Sequence, residues 1–330
     1  MSYLALARKY RPQGFDEIAG QEHIATTLKN AITMDRVSHA YLFAGPRGVG
    51  KTSSARILAK ALNCEKGPTP KPCGKCTSCL EISGSRSMDV MEIDGASNRG
   101  IDEIRNLKEN IKFSPIHGKF RVYIIDEVHM LTAEAFNALL KTLEEPPPHV
   151  KFIFATTRPH KLPATIISRC QRFDFRKLSS SVIAEKLKEI TKKEKISIDD
   201  ESVFLIAKAA DGSMRDAEVI LDQLVSFTKS KILSADVLKV LGLLDQGILF
   251  KLADHMSQGR KHDILKLIDD LINSGKDPAF ITTSIIEHFR NIMLVKVSDG
   301  KPYHSENIPE EDRRRLSEQA KNFTLSLIHI

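Results

Sequence analysis

The feature that most constrains this chain is one octapeptide, Gly45-Pro46-Arg47-Gly48-Val49-Gly50-Lys51-Thr52. It fits G-x-x-x-x-G-K-[ST] in full, between an apolar run, Ala40 to Ala44, and a helical pattern, Lys51 to Leu62. That strand–loop–helix context commits the surrounding chain to an α/β fold built around a phosphate loop. Glycines let main-chain N–H groups curl around phosphate oxygens where a side chain would intrude. Lys51 supplies a point charge for the β and γ phosphates, and the Thr52 hydroxyl can ligate Mg²⁺. The helix N-terminus adds partial positive charge at the same place. The expectation is a Mg-ATP site running from Gly45 to Thr52.

A partner for the loop lies downstream in Arg121-Val122-Tyr123-Ile124-Ile125-Asp126-Glu127. An apolar strand delivers Asp126 at its carboxyl end, the rim where open α/β sheets bind ligands. Asp126 is expected to help hold Mg²⁺, and Glu127 to orient or deprotonate an attacking water. Acidic pairs after strands also serve as helix caps, so it is the loop upstream that gives this pair its meaning. Another strand lies in sequence between the loop strand and the Asp126 strand, which predicts the additional-strand division of the phosphate-loop ATPases.

The rest of residues 1–178 alternates apolar runs with amphipathic stretches, the pattern of a parallel sheet wrapped by helices. Further strands are expected at Asp89–Ile93, Lys151–Ala155 and Gln171–Phe175, and helices at Ile101–Lys112 and Thr132–Leu143. The last stops at Pro146-Pro147-Pro148, which cannot continue a helix. After Leu178 strand signals vanish. Helices are expected near Val182–Lys195, Glu201–Ala210, Met214–Thr228 and Ala235–Leu241, then in a block from Asp245 to Leu294. A polar stretch, Ser298 to Asn307, and a charged helix from Glu310 follow. This gives three domains: residues 1–178 nucleotide-binding, 179–242 a helical lid, and 243–330 a helical C-terminal domain.

Four of the five cysteines sit together, at Cys64, Cys73, Cys76 and Cys79. Such soft thiolates can close a tetrahedral Zn²⁺ site on the insertion 64–79. A disulfide and a redox role for Cys73 and Cys76 are the alternatives; the first needs an oxidising compartment. With four protein ligands the metal would be structural, stiffening a segment that holds Pro68, Pro70 and Pro72. Cys170 reads as a packed thiol rather than a ligand.

Composition bounds the remainder. Of 330 residues 42% are hydrophobic and 28% charged, which excludes a disordered chain. No window nears the ~18 apolar residues that span a bilayer, and Met1-Ser2-Tyr3-Leu4-Ala5 shows no signal-peptide pattern. A cytoplasmic protein without membrane contact is expected. Net charge of +7 is compatible with a nucleic-acid partner without establishing one. Absence of Trp disfavours a base-stacking platform.

With these residues in hand, the chain resembles the gamma/tau subunits of bacterial DNA polymerase III, AAA+ ATPases of the sliding-clamp loader. The resemblance rests on Ala7-Arg8-Lys9-Tyr10-Arg11-Pro12, the phosphate loop, the cysteine insertion and Ile125-Asp126-Glu127-Val128-His129-Met130-Leu131. It continues through Asn137 to Pro147, Ala155-Thr156-Thr157, Ser168-Arg169-Cys170 and Gly212-Ser213-Met214-Arg215-Asp216. It implies that Thr156 senses the γ-phosphate and that Arg215 is a second sensor on the lid. It also implies that Arg169 is an arginine finger for a neighbour's ATP, and that Tyr10 and Arg11 lie against the base. By sequence alone, Arg169 and Arg215 read equally well as surface ion-pair residues. The resemblance further implies a hetero-pentamer with other loader subunits, a sliding clamp and primed DNA as partners, and polymerase activity by association. The third domain is expected to be incomplete, because the chain closes at Ser326-Leu327-Ile328-His329-Ile330 where the family's collar domain would continue. A non-hydrolysing stator, a branch-migration helicase and a zinc-stabilised DNA-binding module are the competing readings. Intact Lys51, Thr52, Asp126 and Glu127 oppose the first, and the cysteine insertion opposes the second.

Overall fold

The computed structural model describes residues 4–97, 100–228, 230–242, 244–298 and 310–324. The polar stretch beyond Ser298 and the closing segment Ser326–Ile330 therefore lie outside the described residues. The chain divides into two compact units, one of Met1–Ile196 with Val203–Asp222, the other of Ser197–Ser202 with Gln223–Ile330.

The first unit is built on a five-stranded parallel sheet: β1 Ala40–Ala44, β2 Val90–Asp94, β3 Arg121–Asp126, β4 Val150–Thr156 and β5 Gln171–Asp174. Its spatial order is β2-β3-β4-β1-β5. The three inner strands are apolar almost throughout because both sheet faces are covered, whereas edge strands β2 and β5 expose Glu92, Gln171, Arg172 and Asp174. Alternation along each strand splits the core in two. Tyr41, Phe43, Ile124 and Ile153 face one cluster, which holds Ile24 and Leu28 of α2 (Glu22–Thr33) and Ile57 and Leu62 of α3 (Lys51–Asn63). Leu42, Tyr123, Ile125 and Phe154 face the other, which holds Ile104 of α5 (Ile101–Asn110) and Phe136 and Leu139 of α6 (Ala133–Glu144).

The strand interposed in space between the loop strand and the Asp126 strand is β4, not the one interposed in sequence; β2 goes to the edge. This is still the additional-strand arrangement, and the inserted strand is the one that ends at Thr156. Shorter helices complete the unit's first part: α1 (Leu6–Lys9), α4 (Thr77–Ser83) inside the cysteine insertion, and α7 (Ala164–Ile167). Thr132 caps α6 by accepting from Ala135 N, and Ser179 caps α8 (Ser180–Glu194) in the same way. Helices α9 (Asp200–Ala209) and α10 (Met214–Phe227) follow.

The second unit is helical: α11 (Ser234–Val240), α12 (Gln246–Ser257), α13 (Lys261–Asn273), α14 (Pro278–Val297) and α15 (Glu310–Lys321). The block expected from Asp245 to Leu294 is thus three helices, two of them capped by Asp245 and Asp277. One apolar cluster joins Phe250, Ile292, Leu316 and Phe323, another Leu249, Leu271 and Ile281. One parallel bridge, Ile198 with Ile232, is strand-like pairing in a region where the sequence predicts none.

Candidate nucleotide site and thiol cluster

The phosphate loop leaves β1 at its carboxyl end, pinned by Gly45 N, which donates to Thr156 O at 3.1 Å. A Cβ on Gly45 would lie 2.4 Å from Phe175 O, and one on Gly48 1.8 Å from Ser213 Oγ. Both glycines have positive φ, so the loop's path is closed to other residues on two counts. Lys51 opens α3 and is 6% exposed, with Nζ donating to Gly45 O at 2.9 Å and Pro46 O at 2.6 Å. Burial lowers its pKa, opposed by the charges of Glu127 and Asp126.

Thr52 Oγ1 donates to Asp126 Oδ2 at 2.6 Å, and Glu127 N to Asp126 Oδ1 at 2.9 Å. A hydroxyl and a carboxylate that already touch can share one hard cation, so the donor set fits Mg²⁺. A buried ammonium beside main-chain amides at a helix N-terminus fits a polyphosphate. Glu127 has φ 45° and Oε2 accepts from Thr157 Oγ1 at 2.9 Å. Thr156 is fully buried at the end of β4, beside Ala44 in register.

Arg215, at the start of α10, belongs to the same unit; its Cβ lies 3.4 Å from where a Gly48 Cβ would stand. Arg11 sits where burial, chiefly, and the nearby Arg56 lower its pKa, with Glu92 raising it and the charges of Arg215 and Asp126 also felt. The Tyr10 hydroxyl donates to Glu194 at the end of α8; burial first, then this bond, raises its pKa to about 12. Two residues beyond Arg11, Gln13 is held by Lys60 of α3, 2% exposed, whose Nζ donates to Gln13 O at 2.9 Å and Oε1 at 2.7 Å.

Arg169 lies elsewhere. Its guanidinium donates to Glu144 Oε1 at 2.5 Å and Thr165 O at 2.7 Å, on α6 and α7 rather than on this chain's phosphate loop. Three groups that sequence reasoning did not single out, His129, Thr157 and Glu144, touch the expected site residues directly. His129 lies in the motif around Asp126, Thr157 follows Thr156, and Glu144 falls in the run Asn137 to Pro147, but residue spacing gives none of the three a role.

The sulfur atoms of Cys64, Cys73, Cys76 and Cys79 all lie within 4.8 Å of one another. Cys64 ends α3, Cys76 precedes α4, and Cys79 lies within it. Cys73 N donates to Cys64 Sγ and Cys76 N to Cys73 Sγ. Amide donors from Lys75 and Cys76 pull the Cys73 thiol down to about 6, while burial pushes Cys79 up. Four thiols this close around one point are the donor set of a tetrahedral soft-metal site, so the residues fit Zn²⁺. Cys170 packs beside the α6 core, and burial raises its pKa to about 12.

Three family models match the chain: "DNA polymerase III, delta subunit" over residues 20–179, "DNA polymerase III clamp loader subunit, ATPase lid domain" over 182–230, and "DNA polymerase III subunits gamma and tau domain III" over 232–330. The chain is 48% identical over 97% of its length to DNA polymerase III subunit tau of Bacillus subtilis, spanning 57% of that relative. It is 42% identical to DNA polymerase III subunit gamma of Buchnera aphidicola, covering 98% of this chain and 89% of the relative. Among solved structures, the RuvB Holliday junction branch migration motor of Thermotoga maritima matches with a TM-score of 0.52 at 21% identity, over 76% of this chain and 80% of that one. That likeness carries the AAA+ fold alone. No helix among the described residues is long and apolar enough to cross a membrane. Phosphate loop, inserted β4 strand, thiol cluster and identity across nearly the whole length agree: the chain belongs to the gamma/tau family of DNA polymerase III clamp-loader subunits.

Proposed function

We propose that this chain binds Mg-ATP in the loop Gly45–Thr52 and hydrolyses it as a motor subunit of the polymerase III clamp loader, in the cytoplasm. The observation that carries the reading is convergence: Lys51, Thr52, Asp126, Glu127 and Thr156 all stand at the carboxyl ends of β1, β3 and β4. Mg²⁺, when bound, draws charge from the phosphates and orders the oxygens of the scissile bond. The chain's own residues do the rest. Main-chain N–H groups from Arg47 through Gly48, Val49 and Gly50 to Lys51, in the turn that Gly45 and Pro46 begin, orient the phosphates. Lys51 brings a desolvated positive charge, and Thr52 with Asp126 fixes the cation's position. Glu127 receives the proton of the attacking water, Thr156 reads the γ-phosphate, and Arg215 ties nucleotide state to the lid. Tyr10 and Arg11 border the base.

Arg169 serves a neighbour's ATP in a hetero-pentameric ring whose nucleotide-bridged form grips the sliding clamp. Primed DNA, held mainly through its phosphates, triggers hydrolysis and release, and polymerase activity follows by association. Residues 1–178 are the motor domain, 179–242 the lid and 243–330 the collar. A structural Zn²⁺ on Cys64, Cys73, Cys76 and Cys79 holds the insertion.

The test is ATP turnover of the reconstituted loader with and without clamp and primed DNA, for the parent chain and Lys51→Ala. Turnover stimulated by both partners and abolished by the substitution is expected. An assembly that binds no adenine nucleotide under any of these conditions would overturn the reading.

A further inference from the structure

Beyond Asp126 the chain turns sharply. Glu127 adopts a left-handed backbone, and the short turn Val128–Met130 brings His129 back over the sheet rim. The His129 side chain is 6% exposed. Its Nδ1 lies 3.2 Å from Glu127 Oε2 and 3.0 Å from Thr156 Oγ1. One ring nitrogen therefore touches both the carboxylate that takes the water's proton and the hydroxyl that reads the γ-phosphate.

Hydrogen-bond accounting fixes the direction of these contacts. A ring nitrogen presents either a hydrogen or a lone pair. A lone pair aimed at an ionised carboxylate would be repelled, so Nδ1 carries the hydrogen and donates it to Thr156 Oγ1, with the Glu127 carboxylate 3.2 Å from the same nitrogen. Thr156 Oγ1 also accepts from Arg158 N at 3.0 Å. With two donors on its oxygen, the Thr156 hydroxyl must direct its own hydrogen elsewhere, which makes it a donor to a phosphate oxygen. Glu127 Oε2, in turn, accepts from Thr157 Oγ1 and Thr157 N, and lies 3.2 Å from His129 Nδ1. Thr156 and Thr157 are consecutive, so movement of one carries the other.

We propose that His129 is a positioning residue that links Thr156 to Glu127, so that engagement of a terminal phosphate by the threonine sets the carboxylate for attack by water. The inference rests on the ATPase reading and adds no bond-making step to it. Proton and phosphoryl group go where hydrolysis already sends them. What His129 contributes is the geometry of the base.

The experiment compares the parent with His129→Leu and His129→Asn, the latter because its amide nitrogen can stand near the place of Nδ1. Two readouts are taken: single-turnover ATP hydrolysis in the reconstituted assembly, and affinities of the chain for ADP and for a non-hydrolysable ATP analogue. His129→Leu is expected to lose about 10²-fold in rate, the scale of a modest misplacement of a reacting group, with ADP affinity unchanged. Its preference for the ATP analogue over ADP should shrink, and His129→Asn should recover most of both. A leucine variant within about twofold of the parent rate, or asparagine and leucine variants equally slow, would overturn the proposal. If the parent itself hydrolyses nothing, the ATPase reading has failed. The analogue-over-ADP preference of the leucine variant then decides the His129 link by itself.

Discussion

Gly48 of the phosphate loop and Ser213, one residue ahead of α10, are so close that a methyl group on the glycine would stand 1.8 Å from the serine hydroxyl oxygen. Loop and lid helix are therefore fitted to each other at a point where the loop also has φ 74°. Gly48→Ala meets both obstacles. It is expected to cost about 2 kcal/mol, within the range for backbone strain held at functional sites, and to weaken nucleotide binding. Adding Ser213→Gly removes the clash but leaves the φ penalty of roughly 1 kcal/mol. Thermal unfolding and nucleotide titration of the single and double variants would check this; full recovery in the double variant would count against the φ contribution.

Thr52 donates to Asp126 rather than lying against the loop itself. Thr52→Val keeps the shape and removes the hydroxyl, so affinity for ADP in the presence of a chelator should be unchanged. Mg²⁺-dependent hydrolysis should fall by about 10²-fold or more, the scale of a lost contact to developing charge. Parallel titrations with and without Mg²⁺ separate the two effects.

The Arg169 guanidinium is engaged with Glu144 and the Thr165 carbonyl of its own chain. On the proposed trans role, Arg169→Ala should leave nucleotide binding intact and reduce turnover of the assembled ring by ~10³-fold or more, the scale measured for arginine fingers. Glu144→Ala should leave both binding and turnover near the parent's, because a half-exposed ion pair contributes only about 0–1 kcal/mol. Equal turnover in Arg169→Ala and parent assemblies would remove the trans role.

Glu218 of α10 is 7% exposed, and burial, with the neighbouring Asp222 charge, raises its pKa from 4.5 to about 7. The folded chain therefore keeps this proton where the unfolded chain has lost it. Its contribution to stability is full below pH 4.5, declines between pH 4.5 and 7, and is lost above. The change amounts to up to about 3 kcal/mol at 1.36 kcal/mol per pH unit. Glu218→Gln should flatten that slope and raise the melting temperature at pH 8 more than at pH 5, measured by scanning calorimetry.

In the thiol cluster, Cys76→Ser removes one of four sulfurs lying within 4.8 Å. Metal content should drop from about one zinc per chain to a fraction, and a protease should cut the insertion 64–79 faster than in the parent. ADP affinity should change little. Elemental analysis of the parent with no zinc would end the idea.

Much of this site is legible in the sequence because its signals are local. The spacing from Gly45 to Thr52 and the apolar run ending at Asp126 need no tertiary information, and the four cysteines declare themselves by number and proximity. Strand boundaries shift by one residue, as at Val90–Asp94 and Val150–Thr156, because pairing with neighbours extends a strand past its apolar run. Helix α2 is absent from the sequence reading although Ile24, Leu28 and Ile32 recur at helical spacing, so that signal existed. The insertion of β4 between β1 and β3 is different in kind: sheet order is decided by crossovers, which leave no mark on periodicity. The same holds for side-chain partners distant in sequence. Tyr10 and Glu194 are 184 residues apart, and no composition or motif argument joins them. Family resemblance supplied roles for Thr156, Arg169 and Arg215, but not the His129 contact, which is visible only when β3 and β4 stand side by side.

Helix α3 runs from Lys51 at the phosphate loop to Asn63, immediately before Cys64 of the thiol cluster, with its residues largely buried. At 1.5 Å per residue its 13 residues form a rod of roughly 20 Å. The rod acts as a spacer bar: the sulfur staple at one end and the fuel chamber at the other are set at a fixed distance. A lineage could therefore trade the thiols for another kind of staple without retuning the chamber, provided the far end of the bar stays clamped.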